Sequence, residues 1–453
     1  MKRKIGVLLA AALLALCTGC SARFAAVDEL MRPPRLSGEN SGIEEAFENA
    51  VQNKNVQIKT PMAGQYRSAY VLYDLDADGR EEAIAFYSDA RDDTTAYMHI
   101  LDFDGEVWRS AADIKGEGSD VYEIAFCDMN ADGLSELAVC WSLFESDGGR
   151  VLTVYSPAET DGALSFRLLV QEPTTQILPA DLNDNGRDEL FSVRITTEYA
   201  SNRTNCRLLA LDDEFGVYVL DSIDLVPALS IFSLRASAPE NGAPVIFADC
   251  VRNENVAVTE VVSWDADAHC LRAPLTEDNR SAQPKTARVS DLPCLDVDAD
   301  GVPEIPTQRY YSNAVVDSGS ERQALPLTVW LSWDGAALEE KTSALLFPNA
   351  ACAFRLTAEE LSGLSAVYDA DALRCDFYKQ LSDGTRGALL YTIAVVPTAK
   401  WEAGEDSAHI LLAQDGSRTY ACELTAQGEA FGITPEDLAE RFTVTREKEK
   451  VRT

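Results

Sequence analysis

The chain has 453 residues with 39 basic and 74 acidic side chains, a formal net charge of −35. That charge repels phosphate backbones and anionic headgroups, and with no basic block after residue 19 to offset it, the sequence argues against nucleic-acid binding. Three histidines, His99, His269 and His409, lie far apart and form no zinc motif, while the length is enough for several domains or one large repeat array.

Residues 1–20 open on Lys2, Arg3 and Lys4, continue with an apolar stretch from Ile5 to Leu16, and end in small residues before Cys20. The apolar stretch is too short to span a bilayer and has the shape of a secretory signal. Its end, Leu16-Cys17-Thr18-Gly19-Cys20, resembles the lipobox of bacterial lipoproteins, with Cys17 where that motif usually carries leucine. The resemblance implies export, lipidation of Cys20 and anchoring on the extracytoplasmic face of the membrane. Residues 21–55 then read as a tether followed by a short amphipathic helix around Ile43–Val51.

From residue 56 to 347 the sequence consists of short strand-like runs separated by Asp/Gly/Asn turns, and it repeats. One nonapeptide occurs four times. It places Asp74, Asp76, Asp78, Gly79, Arg80 and Glu82 in the first copy; Asp128, Asn130, Asp132, Gly133, Leu134 and Glu136 in the second; Asp181, Asn183, Asn185, Gly186, Arg187 and Glu189 in the third; and Asp296, Asp298, Asp300, Gly301, Val302 and Glu304 in the last. The glycine intervals are 54, 53 and 115 residues, so a degenerate copy is expected between the last two, and Ser237–Val245 with Asn241-Gly242 fills that place. Each loop lies between two strand-like runs, such as Tyr70–Tyr73 and Ala83–Tyr87, and two more runs follow within the unit. Four strands per unit predict a mainly β chain, a β-propeller of about five four-stranded blades, with Val56–Lys59 as the strand that closes the ring by completing the last blade. Residues 348–453 lack such loops. Thr357-x-x-Glu360 and Thr434-Pro435-Glu436-Asp437 predict helix starts among further strand-like runs, reading as a small C-terminal α+β domain.

In the nonapeptide, side chains at positions one, three and five converge if glycine at six lets the chain turn sharply. Position seven, held by Arg80, Leu134, Arg187 or Val302, offers a backbone carbonyl, and position nine returns a glutamate. Five or six hard oxygen donors suit Ca²⁺, giving up to four sites. An EF-hand is excluded because position twelve holds Ala85, Val139, Ser192 or Thr307 instead of glutamate. Two carboxylates about 4 Å apart repel by about 4 kcal/mol at an effective dielectric of 20, so crowding three or four without a cation strains the loop. Counting carboxylates ranks the loops at Asp74 and Asp296 first, that at Asp128 next and that at Asp181 last.

On these residues, roughly 66–347 of the chain resemble the FG-GAP and VCBS-type calcium-binding repeats of bacterial surface proteins, related in loop design to the integrin α-chain propeller. Glutamate at position nine departs from the integrin form. The resemblance implies a calcium-stabilised propeller that presents a binding surface to a glycan, peptide or protein of the envelope or the cell exterior. No nucleophile elbow, phosphate loop or His-Glu-x-x-His segment is present, so recognition is expected ahead of catalysis, with a surface polysaccharide hydrolase or lyase as the alternative. Trp141, Tyr310 and Tyr311 are candidates either to stack on sugars or to fill blade cores. The nine cysteines after Cys20 show no metal-ligand spacing, and most sit in apolar runs as small core residues.

Overall fold

The computed structural model describes residues 39–52, 55–144, 149–160, 163–198, 201–237, 243–289, 291–298, 300–317, 322–402 and 410–444. The expected signal, Cys20, most of the tether and the turn of the degenerate repeat lie outside the described residues. The chain divides into two compact units, Met1–Thr174 and Thr175–Thr453.

The first unit opens with helix α1 (Glu39–Ala50), whose Ile43 and Phe47, joined by Val51 just beyond it, recur every four residues and bury against Ala83, Ala85, Tyr87 and Leu101. Five strands follow: β1 (Val56–Lys59), β2 (Tyr70–Tyr73), β3 (Glu82–Asp89), β4 (Asp92–Phe103) and β5 (Trp108–Lys115). Strand β3 is twice as long as β2, and one edge of it is shared: β2 pairs with Glu82–Ala85 and β1 with Phe86–Asp89. Val56–Lys59 therefore belongs to the first sheet, which corrects the expectation that it completes the last one. Half the β3 edge would otherwise hold unpaired backbone groups, and the nearest strand in the chain supplies their partners. The second sheet is a four-stranded meander of β6 (Asp120–Cys127), β7 (Glu136–Ser142), β8 (Arg150–Thr160) and β9 (Ala163–Thr174). Phe86, Ile100, Val121, Val139 and Trp141 join the two sheets in one core.

The second unit continues the rhythm. Strands β10 (Gln176–Ala180), β11 (Glu189–Glu198), β12 (Ser201–Leu211) and β13 (Val217–Asp224) form one four-stranded antiparallel sheet. A second contains β14 (Ser230–Ser237), β15 (Val245–Asn253), β16 (Val256–Asp265) and β17 (Cys270–Arg272), so the degenerate repeat keeps its sheet although its loop has lost the ligands. After helix α2 (Thr276–Arg280) come β18 (Ile305–Asp317), β19 (Arg322–Trp333), β20 (Leu338–Phe347), β21 (Cys352–Leu356), helix α3 (Ala358–Gly363), β22 (Leu364–Asp369), β23 (Arg374–Gln380) and β24 (Arg386–Pro397). Helix α4 (Thr398–Glu402), β25 (Ile410–Asp415), β26 (Arg418–Leu424), helices α5 (Ala426–Ala430) and α6 (Pro435–Arg441), and β27 (Phe442–Val444) complete the unit.

From β18 onward the strands form a single ten-stranded sheet in the order β25-β26-β24-β23-β22-β18-β19-β20-β21-β27, whose end strands approach one another to give a nearly closed barrel-like sheet. The boundary expected at residue 347 therefore does not separate two sheets. Strand β18 pairs with β19 on both sides of an irregularity after Tyr310 and at its far end also runs parallel to β22, while β20 pairs with β21. Val329, Leu345, Phe354, Phe377 and Tyr391 share one core with Val245, Phe247 and Val261 of β15 and β16. Both expected helix starts are present: Thr357 and Glu360 form a reciprocal capping box on α3, as do Thr434 and Asp437 on α6 behind Pro435.

Candidate metal centre

The four nonapeptides adopt one backbone form. Their glycines sit at φ of +86°, +88°, +82° and +87° in Gly79, Gly133, Gly186 and Gly301, and the fourth-position residues Ala77, Ala131 and Asp184 are also left-handed. In every loop the glycine N–H donates to Oδ2 of the first aspartate, at 3.1 Å for Asp74, 3.0 Å for Asp128, 2.8 Å for Asp181 and 2.9 Å for Asp296. The seventh-position N–H of Arg80, Leu134, Arg187 and Val302 donates to the side chain of Asp78, Asp132, Asn185 and Asp300, each at 2.8 Å. These two local bonds recur in every loop and close the turn.

Glutamate at position nine stands at the entry to the strand after the loop, as the first residue of β3, β7 and β11 and immediately before β18. Glu82, Glu136, Glu189 and Glu304 are all buried, and each accepts the N–H of the second loop residue, Leu75, Met129, Leu182 and Val297 respectively. Burial pushes the carboxyls of Glu82, Glu136 and Glu189 up to about 7 against the opposing pull of that backbone bond.

Carboxylates converge most at the loops the charge count ranked first. Asp74, Asp76 and Asp78 bring one oxygen each within 4.8 Å of one another, as do Asp296, Asp298 and Asp300. A third group of the same span contains Asp76, Glu82 and Asp102, and Asp102, on β4, stands outside the nonapeptide and was missed by sequence reasoning. Lys341 on β20 was missed as well. Its Nζ lies 2.7 Å from carboxylate oxygens of Asp298, Asp300 and Glu304, and although desolvation pulls its pKa down, the three bonds outweigh that and hold it well above the ordinary lysine value. Asn130 donates to Asp132, and Asn183 to Glu189, so the amides of the middle loops supply hydrogen bonds to neighbouring carboxylates as well as offering oxygens.

The three aromatic candidates separate. Trp141 is fully buried, with its indole N–H donating to Thr153, and Tyr311 is tied by its hydroxyl to the carbonyls of Leu361 and Leu364. Tyr310 is 88% exposed. A cleft of about 890 Å³ opens beside β20, β21, α3 and α6, lined by Lys341, Arg355, Glu359, Glu440 and Arg441 among others. None of the nine cysteines among the described residues is in a disulfide and all but Cys270 are buried, in keeping with a core role.

No family model and no curated protein matches the chain. Among solved structures, Sqt1 of Saccharomyces cerevisiae is similar at 11% identity, covering 77% of this chain and 84% of that one at a TM-score of 0.31. Sqt1 of Chaetomium thermophilum matches at 10% identity over 83% and 98% of the two chains, with a TM-score of 0.30. MPT-1, a GDP-Man-dependent mannosyltransferase from Leishmania mexicana, matches at 12% identity over 58% and 83%, with a TM-score of 0.25. Likeness at these scores carries no argument about fold or activity.

Proposed function

We propose that the protein is a lipid-anchored, extracytoplasmic β-propeller of the FG-GAP/VCBS type, that its loops bind calcium, and that it serves as a recognition or scaffold module for a glycan, peptide or protein of the cell envelope. The observation that carries this reading is the recurrence of one loop, with the same turn and the same buried glutamate, leading into β3, β7, β11 and β18. The donors suit a hard cation. All are carboxylate or amide oxygens, and Asp74 Oδ1 and Glu82 Oε1 are buried without a hydrogen-bond partner in the first loop. Asp74, Asp76, Asp78 and Glu82 would hold the ion there, and a bound cation would neutralise their repulsion and tie the two strands that flank the loop. Cys20 provides the membrane anchor, and the exposed ring of Tyr310 together with the cleft beside β20 offers surface for a partner.

Glycan-array binding of the mature chain, run beside reducing-end release on the same glycans, tests the function. Calcium-dependent binding without release is the expected result, whereas turnover of any bound glycan replaces the module with a hydrolase or lyase. Cys20→Ala should move the protein from the membrane fraction to the medium, and unchanged fractionation removes the anchor from the proposal.

A further inference from the structure

The four loops agree in backbone but differ in what meets the buried glutamate. Its Oε2 accepts a backbone N–H in every case. In three loops Oε1 also has a donor from within the chain: Ser156 Oγ at 3.1 Å for Glu136, Asn183 Nδ2 at 2.5 Å for Glu189 and Lys341 Nζ at 2.7 Å for Glu304. Glu82 Oε1 has none. It is fully buried, and its carboxylate lies beside those of Asp76 and Asp102, one oxygen from each within 4.8 Å. The first aspartate departs too. Asp128, Asp181 and Asp296 accept the fifth-position N–H on Oδ1, whereas Asp74 Oδ1 is unpartnered.

Strand register allows the comparison residue by residue. Ala83 pairs with Leu101, Leu137 with Tyr155, Leu190 with Leu209 and Ile305 with Leu331. The position facing the glutamate is therefore Asp102, Ser156, Ala210 and Ser332 in turn, on the same side of the sheet and close enough to interact. A bulge follows at the same place in all four sheets, between Ile100/Leu101, Val154/Tyr155, Leu208/Leu209 and Trp330/Leu331. The extra residue it inserts in the next strand is Ala111, Leu169, Leu220 and Lys341. The last sheet thus places an ammonium where the first has a methyl group, and the first places a carboxylate where the second has a hydroxyl.

We propose that Asp102 completes a divalent-cation site with Asp76 and Glu82, and that this is the loop of the four that takes a metal, because in the other three the same glutamate oxygen already meets a hydrogen-bond donor or an ammonium from within the chain. The all-carboxylate donor set selects a hard ion of the calcium class. The proposal rests on the calcium-binding reading above, narrows it from four loops to one, and reverses the equal ranking that carboxylate counting gives the loops at Asp74 and Asp296.

Calorimetric titration of the chelator-stripped chain with calcium, with melting curves in chelator and in calcium, tests it. Wild type should bind one equivalent. Asp102→Asn should weaken binding by about tenfold or more, and should melt above wild type in chelator but below it in calcium, a crossover that a merely structural residue would not produce. Asp102→Ser, which copies the arrangement at Ser156, should fold and melt independently of calcium. Lys341→Met should raise the stoichiometry to two, and an unchanged single equivalent overturns the role given to Lys341. Several equivalents in wild type, or wild-type binding and melting in both Asp102 variants, overturn the proposal while leaving calcium binding intact. No calcium binding by wild type overturns both.

Discussion

Arg288 and Asp249 are both fully buried and paired at 2.7 Å. Thr259 and Cys294 also donate to Asp249, and the remaining guanidinium N–H groups reach the carbonyls of Thr286, Leu292 and Pro306. Removing one partner strands a buried charge, so Arg288→Ala should lower unfolding stability by about 3–5 kcal/mol, measured by urea titration, and Asp249→Leu combined with Arg288→Met should recover part of the loss. Glu260 is a different case. Desolvation raises its pKa above the ordinary glutamate value despite bonds from Thr276 and Asn279. The native state therefore holds that proton more tightly than the unfolded chain does. Its contribution is fully present below the unfolded pKa and is lost as pH rises through the folded one. Wild type should accordingly lose stability relative to Glu260→Gln as pH is raised from about 4.5, the reference range for glutamate, and a relative gain by wild type in urea midpoints contradicts the assignment.

At the scale of elements, the nonapeptide turn is set by backbone conformation. Gly133 has φ of +88°, and a Cβ built there would meet no atom within 4 Å. Gly133→Ala therefore isolates the cost of a side chain in the left-handed region, about 1–2 kcal/mol, and Gly133→Asn should cost less because asparagine tolerates that region. Equal melting temperatures for the two variants would place the constraint elsewhere. Helix α6 offers a parallel test: Thr434→Ala removes the side chain that accepts the Asp437 N–H and should cost about 1 kcal/mol.

At the scale of the whole molecule, the ten-stranded sheet makes the C-terminal region part of the fold of the second unit. A chain ending at Phe347 would lose the partners of β18 and β20 and uncover Val245 and Phe247. It should lose the cooperative thermal transition of the second unit, whereas an unchanged transition would show that residues 348–453 are a separable domain. Calcium acts on the same scale. Binding to the native state alone stabilises by about 2.7 kcal/mol per site at a hundredfold excess over Kd, a sizeable share of a domain stability of roughly 5–15 kcal/mol. Chelation should lower the melting transition of the first unit, and coincident curves in chelator and calcium would reduce the loops to ordinary turns.

The features legible in the sequence are those whose causes are local. Asp74 through Glu82 and its copies fold the same way because their turn-closing bonds run between residues at most seven apart, and Thr357 and Thr434 cap their helices through partners three residues on. Strand content follows from the same short-range pattern of apolar runs and Asp/Gly turns. Tertiary structure alone decided which sheet takes Val56–Lys59, that β18 pairs with β22, and which side chain meets each buried glutamate. Asp102 and Ser156 each reach theirs from 20 residues away, and Lys341 from 37. Pairing partners and register are set by which open ladder edges and apolar faces must be covered once the sheets assemble, and residue spacing along the chain does not encode that choice.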